Sequence, residues 1–123
     1  MPSVKQTNYF VYPNVIGMIA VTLGLLLTAL CTFKRDIVPY DYLGPISELA
    51  YFLAYKQPVV MRAICYTAIF MHVLEGCYAY YLAGMKGISG SARTKWFIFT
   101  LLFGIVSMYR LLQYNPTRAQ KRD

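Results

Sequence analysis

The stretch Met71-His72-Val73-Leu74-Glu75-Gly76 lies in the middle of an apolar run that extends from Ala63 to Leu82. A run of this length is about what a helix needs to cross the hydrocarbon core of a bilayer. His72 and Glu75 would then lie near the middle of the membrane, where ionisable side chains are costly and turn away from lipid. The stretch therefore predicts a membrane-spanning helix with a polar pair at its centre.

The composition of the whole chain is typical of a membrane protein. Hydrophobic residues make up 58% of the 123 residues and charged residues only 14%, and both values depart from those of soluble domains. The formal charge is +7, but most of the basic residues flank apolar runs and form no stripe with interleaved aromatic side chains. Membrane topology explains this excess better than nucleic acid does, so we expect no nucleic-acid partner.

Three apolar runs predict three transmembrane helices, at about residues 15–33, 59–85 and 95–114. The amphipathic segment at about 45–56 is too short to span and predicts an interfacial helix. A basic tail follows at 115–123. We therefore predict an all-α fold, an integral membrane bundle of three transmembrane helices plus one short interfacial helix, in a single multi-pass domain over the whole chain.

Each predicted span has one face of small or polar residues, which fall within a narrow arc of the helical wheel. Such residues let helix backbones approach closely in lipid, and the bulky residues opposite them suit contact with acyl chains. We predict that helix packing uses Gly17, Ala20 and Gly24 in the first span, Gly76, Ala79 and Ala83 in the second, and Thr100, Gly104 and Ser107 in the third.

His72 and Glu75 are three residues apart, so they are neighbours on the small-residue face of the second span. One interpretation is structural: a proton shared between the two side chains would lower the cost of placing them in the membrane. A metal site needs more ligands than one His and one Glu, and the other two spans offer no imidazole or carboxylate. We therefore assign no metal, cofactor or catalytic residue, although a homodimer that joins two such pairs stays an alternative.

The distribution of basic residues predicts an orientation. Trp96 and Tyr114, at the ends of the third span, would mark its two interfaces. With three spans, the first connection and the C-terminal tail share one side and hold eight of the twelve Lys and Arg residues. The positive-inside rule then places the C-terminus and the interfacial helix on the cytoplasmic or matrix side. Neither tail carries an address, so endomembrane and mitochondrial membranes both stay open.

Three stretches of the chain together resemble the transmembrane protein 254 family. They are Val38-Pro39-Tyr40 with Leu43-Gly44-Pro45; His72-Val73 with Glu75, Tyr78-Ala79 and Lys86-Gly87-Ile88; and Trp96-Phe97 with Phe103-Gly104-Ile105 and Ser107. The resemblance extends from about residue 37 to 112. It implies a small multi-pass membrane protein and brings no catalytic or ligand-binding role with it. The residues it points to are His72, Glu75, Gly76, Gly87, Trp96 and Gly104.

Two hypotheses of function follow. The first is a non-enzymatic accessory protein, scaffold or complex subunit, whose partners are the lipid bilayer and other membrane proteins or a second copy of the chain. The second is a lipid- or sterol-handling protein, binder or enzyme, in which His72 and Glu75 line an intramembrane pocket. The hypotheses differ in what these two side chains contact.

Overall fold

The computed structural model of the chain describes residues 7–117, and most of them lie in helices. The helices are α1 Val15–Phe33, α2 Ser47–Tyr51, α3 Pro58–Met85, α4 Gly90–Phe103 and α5 Ile105–Gln113. Within residues 7–117 the only extended pairing is an isolated bridge between Thr7 and Ile88. The predicted all-α fold is therefore confirmed. The predicted basic tail lies outside the described residues from position 118 onward.

Between α1 and α3 the chain forms short helical turns. They are the 3₁₀ helices Arg35–Ile37, Tyr40–Tyr42 and Gly44–Ile46 and the π-helix Phe52–Lys56, which follows α2. Pro39 and Pro45 lack an N–H and prevent a longer helix from forming before α2. The consecutive turns from Gly44 to Lys56 occupy the residues predicted to form the interfacial helix.

Helices α1 and α3 are the two described helices that are long and apolar enough to cross a bilayer. α1 has 19 residues with a mean hydropathy of 2.3, and α3 has 28 residues with a mean hydropathy of 1.4 in its most apolar part. At about 1.5 Å per residue, these helices are about 28 and 42 Å long, which matches or exceeds the hydrocarbon core. Many of their large apolar side chains are exposed in the chain itself, including Ile16 by 78% and Phe70 by 60%.

The prediction of one helix at 95–114 is wrong, because the chain breaks at Gly104. This residue has φ +60° and ψ −133°, a conformation that glycine adopts and that strains other residues. Its N–H donates to the Thr100 carbonyl at 2.7 Å and ends α4. Its own carbonyl accepts from the N–H groups of Ser107 and Met108, both at 3.1 Å, and begins α5. None of the described helices in this region therefore has the length predicted for a third span.

Helices α4 and α5 form a helical hairpin with the break at its turn. The Tyr9 ring stacks on Tyr114 at a centroid distance of 3.9 Å and lies 6.2 Å from the Trp96 ring. In one straight helix Trp96 and Tyr114 would be about 27 Å apart, so one ring would not reach both. The hydroxyl groups of Thr100 and Ser107 also meet across the hairpin, at 3.5 Å. Trp96 and Tyr114 therefore lie close together at one end of the hairpin and not at the two ends of one helix, as the sequence predicted.

The chain divides into two compact units, each with its own core. The hairpin unit comprises Met1–Ile19 and Met71–Asp123, and the connector unit comprises Ala20–Phe70. The core of the hairpin unit contains Ala79, Ala83, Ile88, Ala92, Trp96 and Leu111. The core of the connector unit contains Cys31, Val38, Ala50, Ala54 and Met61.

The first described residues of the chain are fastened to the hairpin unit. The Thr7 N–H donates to the Gly87 carbonyl at 2.8 Å, and the Ser89 N–H donates to the Thr7 carbonyl at 3.0 Å. Trp96 is fully buried and donates its Nε1–H to the Tyr9 carbonyl at 2.9 Å. A buried indole N–H needs such an acceptor. Trp96 therefore holds the N-terminal segment in place.

Lys86, in the turn after α3, caps the C-terminal end of α5. Its Nζ donates to the carbonyls of Leu111 at 2.8 Å, Leu112 at 3.2 Å and Tyr114 at 2.6 Å. The last carbonyls of a helix lack intrahelical partners and carry the negative end of its dipole. Three acceptors require three N–H donors, which only the ammonium form provides. Burial lowers the pKa of Lys86. The carbonyl contacts act in the opposite direction, because they favour the charged ammonium form.

We expect the substitution Lys86→Met to destabilise the hairpin unit by about 1–3 kcal/mol, because it removes three charge-assisted hydrogen bonds from the end of α5. The measurement is unfolding of the full chain in mild detergent. The control Lys56→Met removes the same charge from an exposed side chain of the connector unit and should change stability by less than about 0.5 kcal/mol. Equal losses in the two variants would contradict the capping role.

Candidate functional site

His72 and Glu75 project from α3 toward the turn of the hairpin. A Cβ atom built on Gly104 would lie 2.7 Å from Glu75 Oε2, 3.3 Å from His72 Cε1 and 3.4 Å from His72 Nε2. The two side chains therefore occupy the space that any other residue at position 104 would need. Gly104 is required there both by its backbone conformation and by this close approach.

His72 supplies a hydrogen bond that the helix break leaves missing. Its Nδ1 lies 2.9 Å from the carbonyl oxygen of Leu101. In a continuous helix this carbonyl would accept from the N–H of residue 105, but the turn at Gly104 removes that partner. A carbonyl oxygen only accepts, so this hydrogen bond requires the tautomer in which Nδ1 carries the proton. The imidazole thus takes the place of the lost backbone donor.

Glu75 lies where α5 begins. The first N–H groups of a helix lack intrahelical acceptors and carry the positive end of the dipole, whereas the last carbonyls of α4 carry the negative end. The carboxyl of Glu75 beside Gly104 and the imidazole of His72 on Leu101 therefore match the charges of the two helix ends that meet at the break. This arrangement explains why a His and a Glu occupy neighbouring positions on α3.

The structure does not show the direct pairing that the sequence suggested. Within residues 7–117, neither a hydrogen bond nor an ion pair joins His72 to Glu75. A proton shared between the two side chains is therefore not the arrangement observed. Both residues are only half-buried, and the Glu75 carboxyl is not sealed from the surface of the hairpin unit.

Most of the residues predicted to pack helices are brought together in the hairpin unit. The buried ones are Gly76, Ala79, Ala83, Thr100, Gly104 and Ser107. A Cβ on Gly76 would meet the Leu101 side chain at 3.3 Å, and a Cβ on Gly17 would meet Val106 Cγ1 at 2.7 Å. At these positions the small side chain permits close approach between helices.

Ala20 and Gly24, on the part of α1 in the connector unit, are exposed. A Cβ on Gly24 would meet nothing within 4 Å. Both residues line an apolar groove of about 590 Å³. We call it the α1 groove, and its walls include Leu23, Leu27, Leu30, Val38, Pro39, Tyr42, Leu43 and Ile46. These two small residues therefore have no helix packed against them in the described chain.

The sequence interpretation missed a charged cleft in the connector unit. We call it the arginine cleft; it has a volume of about 410 Å³ and is lined by Cys31, Thr32, Phe33, Arg35, Asp36, Ala54, Pro58 and Arg62. The sequence analysis explains its arginines only as residues that flank apolar runs. The signal available in the sequence was an Arg at each end of the first connection, beside the end of one span and the start of the next.

Arg35 is held in place on one side of the arginine cleft. Its Nη1 donates to the Ala54 carbonyl at 3.0 Å, and its guanidinium lies 4.7 Å from the centre of the Tyr55 ring. The Tyr40 hydroxyl donates to the Arg35 carbonyl at 2.7 Å. Burial, with the nearby Cys31 and Tyr55 side chains, raises the pKa of Tyr40 to about 12, so this phenol remains a donor at neutral pH.

Comparison with known proteins finds one family of transmembrane proteins that matches the chain. The family model described as Transmembrane protein 254 matches residues 16–113. The protein of that name from Bos taurus is 33% identical over 85 residues, which cover 68% of each chain. Those from Homo sapiens and Pongo abelii are 29% and 30% identical over 122 residues, covering 98% of this chain and 99% of each relative. No solved structure matches. The resemblance seen in the sequence is therefore confirmed.

We expect Gly104→Ala to destabilise the chain by about 1–3 kcal/mol from its positive φ alone, with a further loss because the new Cβ displaces Glu75. Gly24→Ala is the matched control: it lies within a helix with open space around it, and should be neutral or stabilise by about 0.5–1 kcal/mol. Unfolding of both variants in the same detergent makes the comparison. A Gly104→Ala variant as stable as the parent chain would contradict the hairpin turn.

Proposed function

This chain belongs to the transmembrane protein 254 family, and on that premise we propose that it is a multi-pass integral membrane protein that acts without catalysis, as an accessory protein, scaffold or complex subunit. Two observations support membrane insertion. Helices α1 and α3 are long and apolar enough to cross a bilayer. Many of their large apolar side chains are not covered by other residues of the chain. A bilayer would cover these side chains.

The α1 groove is the observation that carries the proposal of a complex subunit. Ala20 and Gly24 are four residues apart and so lie one above the other on α1, a spacing at which small residues admit a second helix. The other helix-packing glycines, Gly17, Gly76 and Gly104, already have neighbours within the chain. The small-residue face at Gly24 is open, and a transmembrane helix of another protein or of a second copy would fit it.

The polar pair gives less support to the alternative of a lipid- or sterol-handling pocket at His72 and Glu75. His72 Nδ1 is engaged with the Leu101 carbonyl, and Glu75 lies against Gly104 at the start of α5. Both side chains thus have a structural task that accounts for their presence in an apolar run. We therefore favour an accessory role over chemistry at this pair.

We further propose that α1 and α3 cross the membrane while the α4–α5 hairpin enters and returns on the same side. Tyr9 contacts both Trp96 and Tyr114, which supports an N-terminal segment and a C-terminal tail on one side. That side holds eight basic residues: Lys5, Lys86, Arg93, Lys95, Arg110, Arg118, Lys121 and Arg122. The first connection holds four: Lys34, Arg35, Lys56 and Arg62. The positive-inside rule then places both termini in the cytoplasm or matrix, with the first connection opposite.

Epitope tags at the two termini and at Asp41 test this topology. We expect antibodies to reach both terminal tags from the same side in selectively permeabilised cells or organelles, and to reach the Asp41 tag only after the membrane itself is opened. Two crossings require this pattern. Terminal tags on opposite sides would support three crossings and contradict the proposal.

We expect Gly24→Leu to disrupt assembly with a partner while the chain stays folded, because the new side chain fills the α1 groove without a clash inside the chain. Cross-linking in native membranes, followed by size analysis of the tagged chain, measures the assembly. The control Thr22→Leu adds bulk at an exposed position on the other side of α1 and should leave assembly unchanged. Assembly unaffected by Gly24→Leu would count against the groove as a docking surface.

A further inference from the structure

The arginine cleft lies where the two long apolar helices of the chain end. It is lined by the last residues of α1, including Phe33, and by the first residue of α3, Pro58. In a protein that crosses the bilayer with these helices, such ends lie at the level of the lipid headgroups. The cleft therefore opens where phosphate groups are the abundant ligands.

The two arginines of the cleft differ in how they are held, and the difference suits ligand binding. Arg35 is oriented by the Ala54 carbonyl and the Tyr55 ring, which reduces the entropy it would lose on binding. Arg62, in the first turns of α3, makes no hydrogen bond or ion pair within residues 7–117. Guanidinium groups bind phosphate oxygens through paired N–H donors, and the positive end of the α3 dipole adds to the attraction.

The charge of the cleft matches a phosphodiester. Arg35 and Arg62 carry two positive charges and Asp36 carries one negative charge, so one net positive charge remains. A phosphodiester has a single negative charge, whereas a phosphate monoester or inorganic phosphate carries more than one at neutral pH. Asp36 therefore disfavours the more highly charged anions.

An apolar groove adjoins the arginine cleft. The two together offer a charged and an apolar surface, which an amphipathic ligand requires. This groove has a volume of about 200 Å³ and is lined by Leu27, Thr28, Cys31, Ile46, Leu49, Ala50, Leu53, Met61 and Ile64. Cys31 belongs to the lining of both the groove and the arginine cleft. A headgroup at the arginines would thus place a hydrocarbon chain beside an apolar surface.

We propose that the arginine cleft binds the phosphodiester of a membrane phospholipid, with an acyl chain of the same lipid against the adjoining groove. The site goes beyond the accessory role proposed above and does not depend on it, because its lining includes neither Ala20 nor Gly24. A loss of partner assembly in Gly24→Leu would leave lipid binding intact.

Native mass spectrometry of the full chain in mild detergent, titrated with phosphatidylglycerol, tests the proposal. We expect Arg62→Gln to weaken lipid binding about tenfold or more, because a paired charge-assisted contact is lost. The matched control Lys34→Gln removes one charge from the same end of α1, outside the cleft lining, and should leave the affinity unchanged. Equal weakening in the two variants would show a non-specific charge effect and overturn the proposal, as would unchanged binding in Arg62→Gln.

Two further measurements keep the test decisive if Arg62→Gln folds poorly. Asp36→Asn removes the negative charge of the cleft and should strengthen phosphatidylglycerol binding several-fold. An unchanged or weaker affinity in this variant would contradict the assignment. Inorganic phosphate, added as competitor, should displace the lipid far less well than a second phosphatidylglycerol does. Competition by phosphate at similar concentrations would show a site for free anions and overturn the lipid assignment.

Discussion

The fold of the hairpin unit depends on satisfying a broken backbone inside an apolar region. At Gly104 the helix stops and restarts, which frees carbonyls at the end of α4 and N–H groups at the start of α5. In lipid these groups would find no water, so non-helical backbone is tolerated there only against other polar groups of the protein. His72 donates to the Leu101 carbonyl, and Glu75 lies beside the N-terminal end of α5. The His72 hydrogen bond thus offsets part of the cost of the turn, and the Glu75 carboxyl lies near the positive end of the α5 dipole.

The opposite end of the hairpin is fastened by the same kind of contact. Lys86 binds three carbonyls at the end of α5, and Trp96 binds the Tyr9 carbonyl, which ties the N-terminal segment to α4. Each of these polar groups meets a backbone group that would otherwise lack a partner. The hairpin unit therefore uses its polar side chains on its own backbone, at the turn and at the open end alike.

The sequence predicts the long helices well and the hairpin poorly, for physical reasons. The bounds of α1 follow from an uninterrupted apolar run that ends at charged residues. The run around Gly104 is also largely apolar, and glycine is tolerated within membrane helices, so composition does not reveal a turn there. Thr100 and Ser107 are seven residues apart, which places them on one face of a straight helix and also opposite each other across a turn at Gly104. The periodicity fits both structures, and only the contacts decide between them.

The same limit applies to the candidate sites. His72 and Glu75 could be identified from their cost in an apolar run, but their true partner is the backbone near Gly104, about 30 positions along the chain. Arg35 and Arg62 were visible as flanking charges, and their convergence depends on the short turns between α1 and α3. In the hairpin unit His72, Lys86 and Trp96 bind backbone carbonyls of the same unit. Residues 20–70 carry an open small-residue face and a cleft in which Arg62 makes no hydrogen bond or ion pair within residues 7–117. We therefore expect the connector unit to contact other molecules. His72 and Glu75 stabilise the turn of the hairpin.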